Sequence, residues 1–432
     1  MGLVSVEPFP PTLASPPTLT SSGQLDSIFP SPSSPLKTAV IVCKATRWDY
    51  EKSKLSVRLK GLGDDEVEKI LSAKGRDGRS LRAKNDAQKQ VEERIAHQLR
   101  KVGVESSSVS VASLPARLPP STALIVSAGG DGTFLAAASL VSDNDTVVIG
   151  VNSDPHGSEG HLCLGCKTPP PDFSLLLHNP QWRLRSRLKV VLPSHSSSEQ
   201  PLLALNDVFI GEIESAKVSY YDISVDGSPF MRQKSSGIVV CTGSGSSAWH
   251  SSINRVCPGT LPPIFAALRA HGISVPDDSV LAQKVAQTLN EQLVEKPDCN
   301  EFLFSVREPI FNLTFSPSPT HGKARKIRLR SRCSNAFLVL DGWKKVSYYD
   351  ISVDGSPFMR QKSSRIVVCT GSGSSAWHSS INRVCPGSLP PIFAALRAHG
   401  IAVPDDEVLA QKVAQTLNEQ LVEKPDCNGE WL

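Results

Sequence analysis

The chain has 432 residues, 40% hydrophobic and 20% charged, and this length is enough for two domains that each bury a core. Its 46 lysines and arginines nearly balance 42 aspartates and glutamates, and a net charge of only +4 argues against a dedicated nucleic-acid binder. Since no run of eighteen apolar residues is present to span a bilayer, we expect neither a membrane partner nor a nucleic-acid partner.

The ten cysteines do not indicate a disulfide framework. They are scattered over a long chain, and three recur because a segment is duplicated, so we expect a reducing compartment. Cys163 and Cys166 have a spacing found in zinc sites, but zinc needs two further ligands and no second such pair exists. Two ordinary thiols are the favoured interpretation, and a metal or redox role is the alternative.

Residues 1–37 contain eight prolines and eight serines, with one lysine and no arginine. Such a segment buries too little surface to fold, so we expect it to be disordered. It also lacks the arginines and the amphipathic pattern of a transit peptide, so by itself it does not indicate a subcellular location.

Residues 38–157 alternate strand and helix patterns. The strands are "TAVIVCK", "SVSVAS", "TALIV" and "TVVIGVN", and a short helix is expected from about Phe134. A longer helix, "DAQKQVEERIAHQLRKVGV", ends near Gly103, and its apolar stripe consists of Val91, Ile95, Leu99 and Val102. This alternation predicts a Rossmann-like α/β domain with a mostly parallel sheet.

In residues 158–343, apolar and polar residues alternate with a period of two or form β-branched runs between turn residues. Examples are "RLRSRLKVVL", "KVSYYDISVDG" and "GIVVCTG". We therefore expect a predominantly β, sandwich-like second domain. In "KIRLRSRC" one strand face carries Lys326, Arg328, Arg330 and Arg332. A solvated face is the favoured interpretation, and phosphate or nucleic-acid contact is the alternative.

Residues 217–300 recur almost unchanged at 345–428. The differences are Gly237/Arg365, Thr260/Ser388, Ser274/Ala402 and Ser279/Glu407. Two long copies do not make a solenoid, so the pattern suggests a recent duplication or a mis-assembled gene. The first copy is followed by further strand patterns, whereas only "GEWL" follows the second. We therefore expect the duplicate, residues 344–432, to be poorly packed and to leave an exposed sheet edge.

The stretch "SAGGDGTFLAAAS" places three glycines around one aspartate between a strand and a helix pattern. Glycines at a helix N-terminus let a phosphate approach backbone N–H groups, and Gly129, Gly130 and Gly132 fit this need. The stretch matches neither a Walker P-loop nor a dinucleotide fingerprint. Asp131 is suited to holding Mg²⁺ or to accepting a proton during phosphoryl transfer; the alternative is a helix cap.

"GGDGT" resembles a signature shared by NAD kinases, diacylglycerol and sphingosine kinases and, more loosely, phosphofructokinases. The continuation "TFLAAAS" resembles that of NAD kinases, so a lipid kinase is the runner-up. "ALNDVFIG" and "VVCTGSGSSAWHSSIN" resemble two further NAD kinase motifs, and "GVNSDPHGSEGHLCL" and "FSVREPI" resemble the mitochondrial type. Asp207 stands where the family usually has Glu, and Ser236 where many members have Asp.

The resemblance implies ATP-dependent phosphorylation of NAD⁺ at the adenosine ribose 2′-hydroxyl, giving NADP⁺. It also implies Mg²⁺ or another divalent cation, a mitochondrial location, a homo-oligomer such as a homodimer, and a site between the α/β domain and the β-sandwich. Because the chain departs from the family after Gly342, a catalytically inactive nucleotide-binding homologue is a further alternative.

The resemblance also implies roles for the residues of this chain that match the family's motifs. Asp131 would activate or orient the 2′-hydroxyl, and phosphates would be cradled by Gly129, Gly130, Gly132 and Thr133. The NAD ribose region would meet Asn206 and Asp207, and the dinucleotide pocket would be lined by Ser246, Ser247, Ala248 and Trp249. The alternatives are a hairpin turn at Asn206–Asp207, a flexible Ser/Gly loop, and a core aromatic at Trp249.

Overall fold

The structure is a computed structural model that describes residues 3–9, 36–57, 59, 61–178, 180, 182–192, 202–214, 217–310, 315, 320–333, 336–347 and 383–419. Contacts divide the chain into an α/β unit, Pro11–Leu184, and a β-rich unit, Met1–Pro10 with Arg185–Leu432. Residues 158–184 therefore belong with the α/β unit, contrary to the predicted boundary. Phe173, only 1% exposed, packs in the core of that unit.

The N-terminal segment differs from the prediction of disorder at its beginning. Strand β1 (Leu3–Phe9) pairs antiparallel with two strands of the β-rich unit. All seven residues of β1 are paired, so the sheet satisfies backbone groups that a stretch with a single proline leaves available. Residues 10–35 lie outside the described part of the chain, so the prediction is wrong for β1 and untested for those residues.

The α/β unit contains a four-stranded parallel sheet in the order β3-β2-β4-β5, which confirms this half of the fold class. Its strands are β2 (Thr38–Cys43), β3 (Glu105–Ser110), β4 (Leu124–Ala128) and β5 (Val147–Val151). Its helices are α1 (Arg47–Ser56), α2 (Asp64–Ala73), α3 (Gly78–Lys101) and α4 (Asp131–Ala138). Ile95 and Leu99 of α3 are fully buried against the sheet, as the apolar stripe predicts.

The β-rich unit contains two six-stranded antiparallel sheets, β10-β9-β14-β1-β6-β7 and β13-β12-β11-β8-β15-β16. The strands are β6 (Arg187–Val191), β7 (Leu202–Ala204), β8 (Asp207–Glu212), β9 (Ser219–Val225), β10 (Met231–Ser235), β11 (Ile238–Cys241), β12 (Phe302–Val306), β13 (His321–Ala324), β14 (Ile327–Ser331), β15 (Ala336–Leu340) and β16 (Lys344–Ser347). One buried cluster takes side chains from both sheets, as in a sandwich, so this half of the fold class is confirmed too.

Helices that the period-two pattern did not predict follow β11. A π-helical turn, Ser246–His250, leads into α5 (Ser251–Asn254), α6 (Leu261–Ala270) and α7 (Ser279–Glu291). The second copy contributes α8 (Leu389–Ala398) and α9 (Glu407–Glu419). In the described part of the chain, none of these helices combines the length and the apolar character that crossing a membrane requires.

The described part of the second copy corrects the prediction of poor packing. Phe393 is 1% exposed, and Leu396 and Val413 are fully buried, because α8 and α9 share a core with α6 and α7. The copy begins in β16, which pairs with β15 and covers that sheet edge. Residues 348–382 and 420–432 lie outside the described residues.

The basic face of β14 is engaged by neighbours within its own sheet. Arg332 Nη2 lies 2.8 Å from Asp222 Oδ2, and the guanidinium groups of Arg328 and Arg330 lie 5.3 and 4.9 Å from the centre of the Phe230 ring. Neighbouring side chains thus contact three of the four basic residues of this face, and its role stays a prediction.

Candidate functional site

The glycine turn connects the carboxyl end of β4 to the first residue of α4. Gly130 is the N-cap and α4 begins at Asp131, three residues before the predicted start at Phe134. A β-carbon on Gly129 would lie 2.2 Å from Thr133 Oγ1, and one on Gly130 would lie 2.3 Å from Ser158 Oγ. Close packing therefore requires these two glycines. A β-carbon on Gly132 would meet no atom within 4 Å, so this position faces open space.

Asp131 is half-buried, and its carboxylate connects the turn to the loop that follows β5. Oδ1 accepts a 2.7 Å hydrogen bond from the backbone N of Leu162. No side chain caps α4, so the helix-cap alternative for Asp131 is wrong. The backbone contact holds the carboxylate at the N-terminus of α4, where the helix dipole favours negative charge. The aspartate is therefore positioned by the fold rather than used to start the helix.

The loop after β5 contains residues that sequence reasoning missed. The Asn152 side chain is 1% exposed, and its Nδ2 donates to the carbonyls of Ser158 and Cys166, both at 3.1 Å. Asp154 Oδ2 lies 3.5 Å from Nζ of Lys44, which directly follows β2. The available signal was a polar residue just after each of two strands of the parallel sheet, β2 and β5, because the carboxyl ends of parallel strands share one sheet edge.

Of the two cysteines beside the turn, Cys163 is buried. Burial, with the nearby charge of Asp131, raises the pKa of Cys163 to about 12, so this thiol stays protonated at neutral pH. Its Sγ lies 3.5 Å from the carbonyl of Gly129. Within the described residues, no three His, Cys, Asp or Glu side chains form a group that could hold a metal ion.

A second candidate group lies in the β-rich unit, where Asn206 is in the bend between β7 and β8 and Asp207 is the first residue of β8. These two strands belong to different sheets, so the hairpin alternative is wrong. The Asp341 carboxylate accepts hydrogen bonds from the backbone N of Leu205, Asn206 and Asp207 at 2.9, 2.7 and 3.2 Å. Asp341 therefore fixes the backbone of the bend.

The bend contacts the serine- and glycine-rich segment 242–249 directly. The carbonyl of Asn206 accepts a 2.9 Å hydrogen bond from the Thr242 N, and a β-carbon on Gly245 would lie 2.2 Å from the same carbonyl oxygen. Asn206 Oδ1 is buried and has no hydrogen-bond partner among the described residues. The structure thus brings Asn206 into contact with the serine- and glycine-rich segment 242–249.

The segment after Gly245 is an ordered π-helical turn, so the flexible-loop alternative is wrong. Ser246 is fully buried, and its Oγ donates to the Gly243 carbonyl at 2.7 Å and accepts from the Glu295 N at 2.9 Å. Ser247 is exposed, and Ala248 is half-buried. Ser246 therefore supports the turn, while its neighbours retain accessible surface.

Trp249 is half-buried, so it is not a core aromatic. Its ring centre lies 5.3 Å from that of Phe209, and the guanidinium of Arg307 lies 5.6 Å from it. Sequence reasoning assigned no role to Phe209 or Arg307, although both fall inside motifs that it quoted. This cation–aromatic arrangement fixes the indole on one side.

Two buried carboxyl groups dominate the electrostatics of the bend. Burial raises the pKa of Asp207 to about 7, and the charge of Asp341 adds to the rise. Burial also raises the pKa of Asp341, to about 6, against the lowering effect of its three backbone donors. Close carboxyl groups out of water resist double ionisation, so this pair holds a proton more readily than exposed aspartates do.

The comparisons agree with the motifs. Residues 41–167 match the family described as ATP-NAD kinase N-terminal domain. "NAD kinase 2, mitochondrial" of Xenopus tropicalis is 34% identical over 372 residues, covering 73% of this chain and 86% of that protein. The human protein of the same name is 32% identical over 370 residues, covering 76% and 83%. These relatives confirm the resemblance to the mitochondrial type and give no support to a lipid kinase.

Among solved structures, an NAD kinase from Archaeoglobus fulgidus in complex with ATP aligns with a TM-score of 0.39 and 18% identity, covering 72% of this chain and 86% of that one. That similarity is too distant to bear on residue roles. The relatives at 32 to 34% identity, each covered over more than four-fifths of its length, are decisive. This chain belongs to the NAD kinase family.

Proposed function

We propose that this chain transfers the γ-phosphoryl group of ATP to the 2′-hydroxyl of the adenosine ribose of NAD⁺. The hydroxyl oxygen forms a bond to the γ-phosphorus, the bond from that phosphorus to the bridging β–γ oxygen breaks, and ADP leaves. The products are NADP⁺ and ADP. The observation that carries the proposal is the Asp131 carboxylate, fixed by the Leu162 N at the N-terminus of α4 beside an open glycine.

We assign the hydroxyl proton to Asp131, which orients the 2′-hydroxyl and accepts its proton as the new bond forms. An aspartate is a weak base, but a loose phosphoryl-transfer transition state requires little proton removal until late, so orientation is its main contribution. Backbone N–H groups from Gly130 to Gly132, at the positive end of α4, would neutralise phosphate charge. Phosphate binding by Gly129 and Thr133 stays a prediction, because their N–H groups donate to the carbonyls of Val151 and Gly130. Gly132, which faces open space, leaves room for the phosphate to approach.

A divalent cation such as Mg²⁺ fits this donor set. Mg²⁺ in phosphoryl-transfer sites is typically held by one or two carboxylates together with substrate phosphates, so the absence of a three-ligand protein cluster among the described residues is compatible with it. Asp131 is the residue that would supply the carboxylate. When bound, the cation would neutralise charge on the phosphates that the protein alone leaves uncompensated.

NAD⁺ recognition is assigned to the β-rich unit. The orphan Oδ1 of Asn206 is an acceptor suited to a ribose hydroxyl, and Ser247, Ala248 and Trp249 retain surface for the dinucleotide. Asp207 and Ser246 stay predictions: both are buried, and Ser246 has its hydroxyl engaged by its own chain. The homo-oligomer implied by the family resemblance also stays a prediction.

The test uses the purified full chain with ATP, MgCl₂ and NAD⁺, and measures NADP⁺ through a coupled NADP⁺-specific dehydrogenase. The Asp131→Asn variant should lose about 10²- to 10⁴-fold in kcat while retaining ATP and NAD⁺ binding by calorimetry. Its amide oxygen can still accept from the Leu162 N, so the fold should survive. Asp86→Asn, at an exposed position on α3, is the matched control and should leave turnover unchanged.

Two results would count against the proposal. Equal turnover by Asp131→Asn and the unsubstituted chain would show that Asp131 does not have the role proposed for it. A folded chain that binds ATP and NAD⁺ but forms no NADP⁺ would identify it as an inactive homologue.

A further inference from the structure

A buried histidine lies at the end of the π-helical turn, directly after Trp249. His250 is 5% exposed, and its Nδ1 lies 3.0 Å from Ser305 Oγ of β12 and 3.2 Å from Asn254 Nδ2 of α5. Asn254 Nδ2 also donates to Ser305 Oγ and to the carbonyl oxygen of His250, both at 2.8 Å. Side chains from three neighbouring elements therefore form one hydrogen-bonded network.

The directions of these hydrogen bonds fix the state of the imidazole. The Asn254 amide nitrogen can only donate, and Ser305 Oγ, which accepts from it, keeps its own hydrogen to donate. His250 Nδ1 therefore faces two donors and is the acceptor, so the ring is neutral and its proton is on Nε2. A proton on Nδ1 would point at both donors and break the network.

The elements that pack on the turn do not favour a charge there. Helix α5 and strands β11 and β12 contribute only uncharged residues, and their one titratable side chain is the thiol of Cys241. Burial raises the pKa of that thiol, so it stays protonated at neutral pH. Burial also lowers the pKa of His250 to about 4, which agrees with the acceptor role of its Nδ1.

Charged and titratable groups reach this side of the sheet from β13, which pairs with β12. His321 lies directly opposite Ser305, so both side chains are on the same face, and the charge of His321 adds to the lowering of the His250 pKa. Lys323, two residues further along that face, forms an ion pair with Glu295. A second imidazole and a neutralised ion pair offer no net negative charge that would stabilise a protonated His250.

The turn is anchored at both ends, and its accessible residues lie between the two anchors. Ser246, fully buried at the beginning, has its hydroxyl engaged by the chain itself. His250, at the end, is tied to Asn254 by both its ring and its carbonyl oxygen. Residues 247–249 between them are exposed or half-buried. Loss of the second anchor would therefore free the end of the turn that carries Trp249.

We infer that His250 is a positioning residue for NAD⁺ binding, whose neutral ring holds the turn in the conformation that presents residues 247–249 to the dinucleotide. The inference rests on the proposed function, which assigns NAD⁺ recognition to this turn. ATP binding is assigned to the glycine turn of the α/β unit and does not depend on this network. His250 therefore affects the affinity for NAD⁺ and leaves the affinity for ATP unchanged.

The first test measures NAD⁺ and ATP binding to the purified full chain by calorimetry at neutral pH. His250→Leu removes the acceptor and leaves the Ser305 hydroxyl without one, so it should weaken NAD⁺ binding about 5- to 10-fold with ATP binding unchanged. His250→Asn places an amide oxygen where Nδ1 lies, and should restore the NAD⁺ affinity to within about twofold. His378→Leu, at the equivalent position of the second copy, is the matched control and should leave both affinities unchanged.

Three results would overturn the inference: unchanged NAD⁺ affinity in His250→Leu, an equal loss of ATP affinity in that variant, or a His250→Asn variant that binds NAD⁺ as weakly. Because binding is measured rather than turnover, a chain that forms no NADP⁺ contradicts the proposed reaction without affecting this result. A folded unsubstituted chain that does not bind NAD⁺ would overturn both.

The second test determines the protonation state of the ring and needs no ligand. In chains labelled with ¹⁵N at histidine, the nuclear magnetic resonance signals of His250 are identified by their loss in His250→Asn. At about pH 5.5, where a histidine with an ordinary pKa of about 6.5 is roughly nine-tenths protonated, His250 should show a neutral ring with its proton on Nε2. A charged ring, or a proton on Nδ1, would show that the network does not hold the histidine as inferred.

Discussion

Replacing Gly245 with alanine should disrupt the bend that presents Asn206. The added β-carbon would lie 2.2 Å from the carbonyl oxygen of Asn206, 2.6 Å from its carbonyl carbon and 2.9 Å from its Cα. All three are backbone atoms, so no change of rotamer relieves the overlap. The Gly245 backbone itself has φ of −79°, which alanine adopts easily, so the effect is steric alone.

The magnitude follows from what holds Asn206 in place. Its N donates to Asp341 Oδ1 at 2.7 Å, and its carbonyl accepts from the Thr242 N at 2.9 Å. Moving the bend away breaks one hydrogen bond to a carboxylate, worth about 2 kcal/mol, and one neutral hydrogen bond, worth about 1 kcal/mol. We expect a loss of about 3 kcal/mol in local stability, which corresponds to about 100-fold faster exchange of the two amide hydrogens concerned.

The assay is amide hydrogen exchange at Asn206 and Thr242, with the KM for NAD⁺ measured in parallel. Gly259→Ala is the matched control, because a β-carbon there meets no atom within 4 Å, and its exchange rates should be unchanged. Gly245→Ala should also raise the KM for NAD⁺ more than that for ATP. Exchange at both amides within twofold of the unsubstituted chain would show that the bend is not pinned as the structure indicates.

Three further predictions concern the two site groups. Gly129→Ala should destabilise the α/β unit by about 1 to 3 kcal/mol in urea unfolding through its clash with Thr133, whereas Gly132→Ala should leave stability unchanged and raise the KM for ATP. Asp207→Asn should stabilise the chain at pH 8 but not at pH 4. A raised folded pKa, about 7 here, favours folding below the unfolded pKa and loses that contribution as pH rises through 7, so equal denaturation midpoints at pH 8 would contradict it. Trp249→Ala should raise the KM for NAD⁺ with kcat little changed. An unaltered KM would show that the indole does not contribute to NAD⁺ binding.

The sequence alone was sufficient for the two fold classes, the glycine turn and the family, because these features are local. The period-two and period-3.6 patterns identified most strands and α3, and three short motifs carried the resemblance. Helices α6 and α7 were missed because their apolar residues were interpreted within a run of strands. Strand β1 was missed because the proline content of the surrounding segment outweighed seven residues that a sheet accepts.

Contacts between distant parts of the chain were decided only by the tertiary structure. Nothing near Asn206 indicates that Asp341 holds its backbone, and nothing in the glycine turn indicates that Leu162 fixes Asp131. The repeat was visible in the sequence, yet whether its second copy packs depended on a surface that exists only when two helices fold side by side. Periodicity reports which face of an element is apolar, whereas the partner of that face is set by the path of the whole chain.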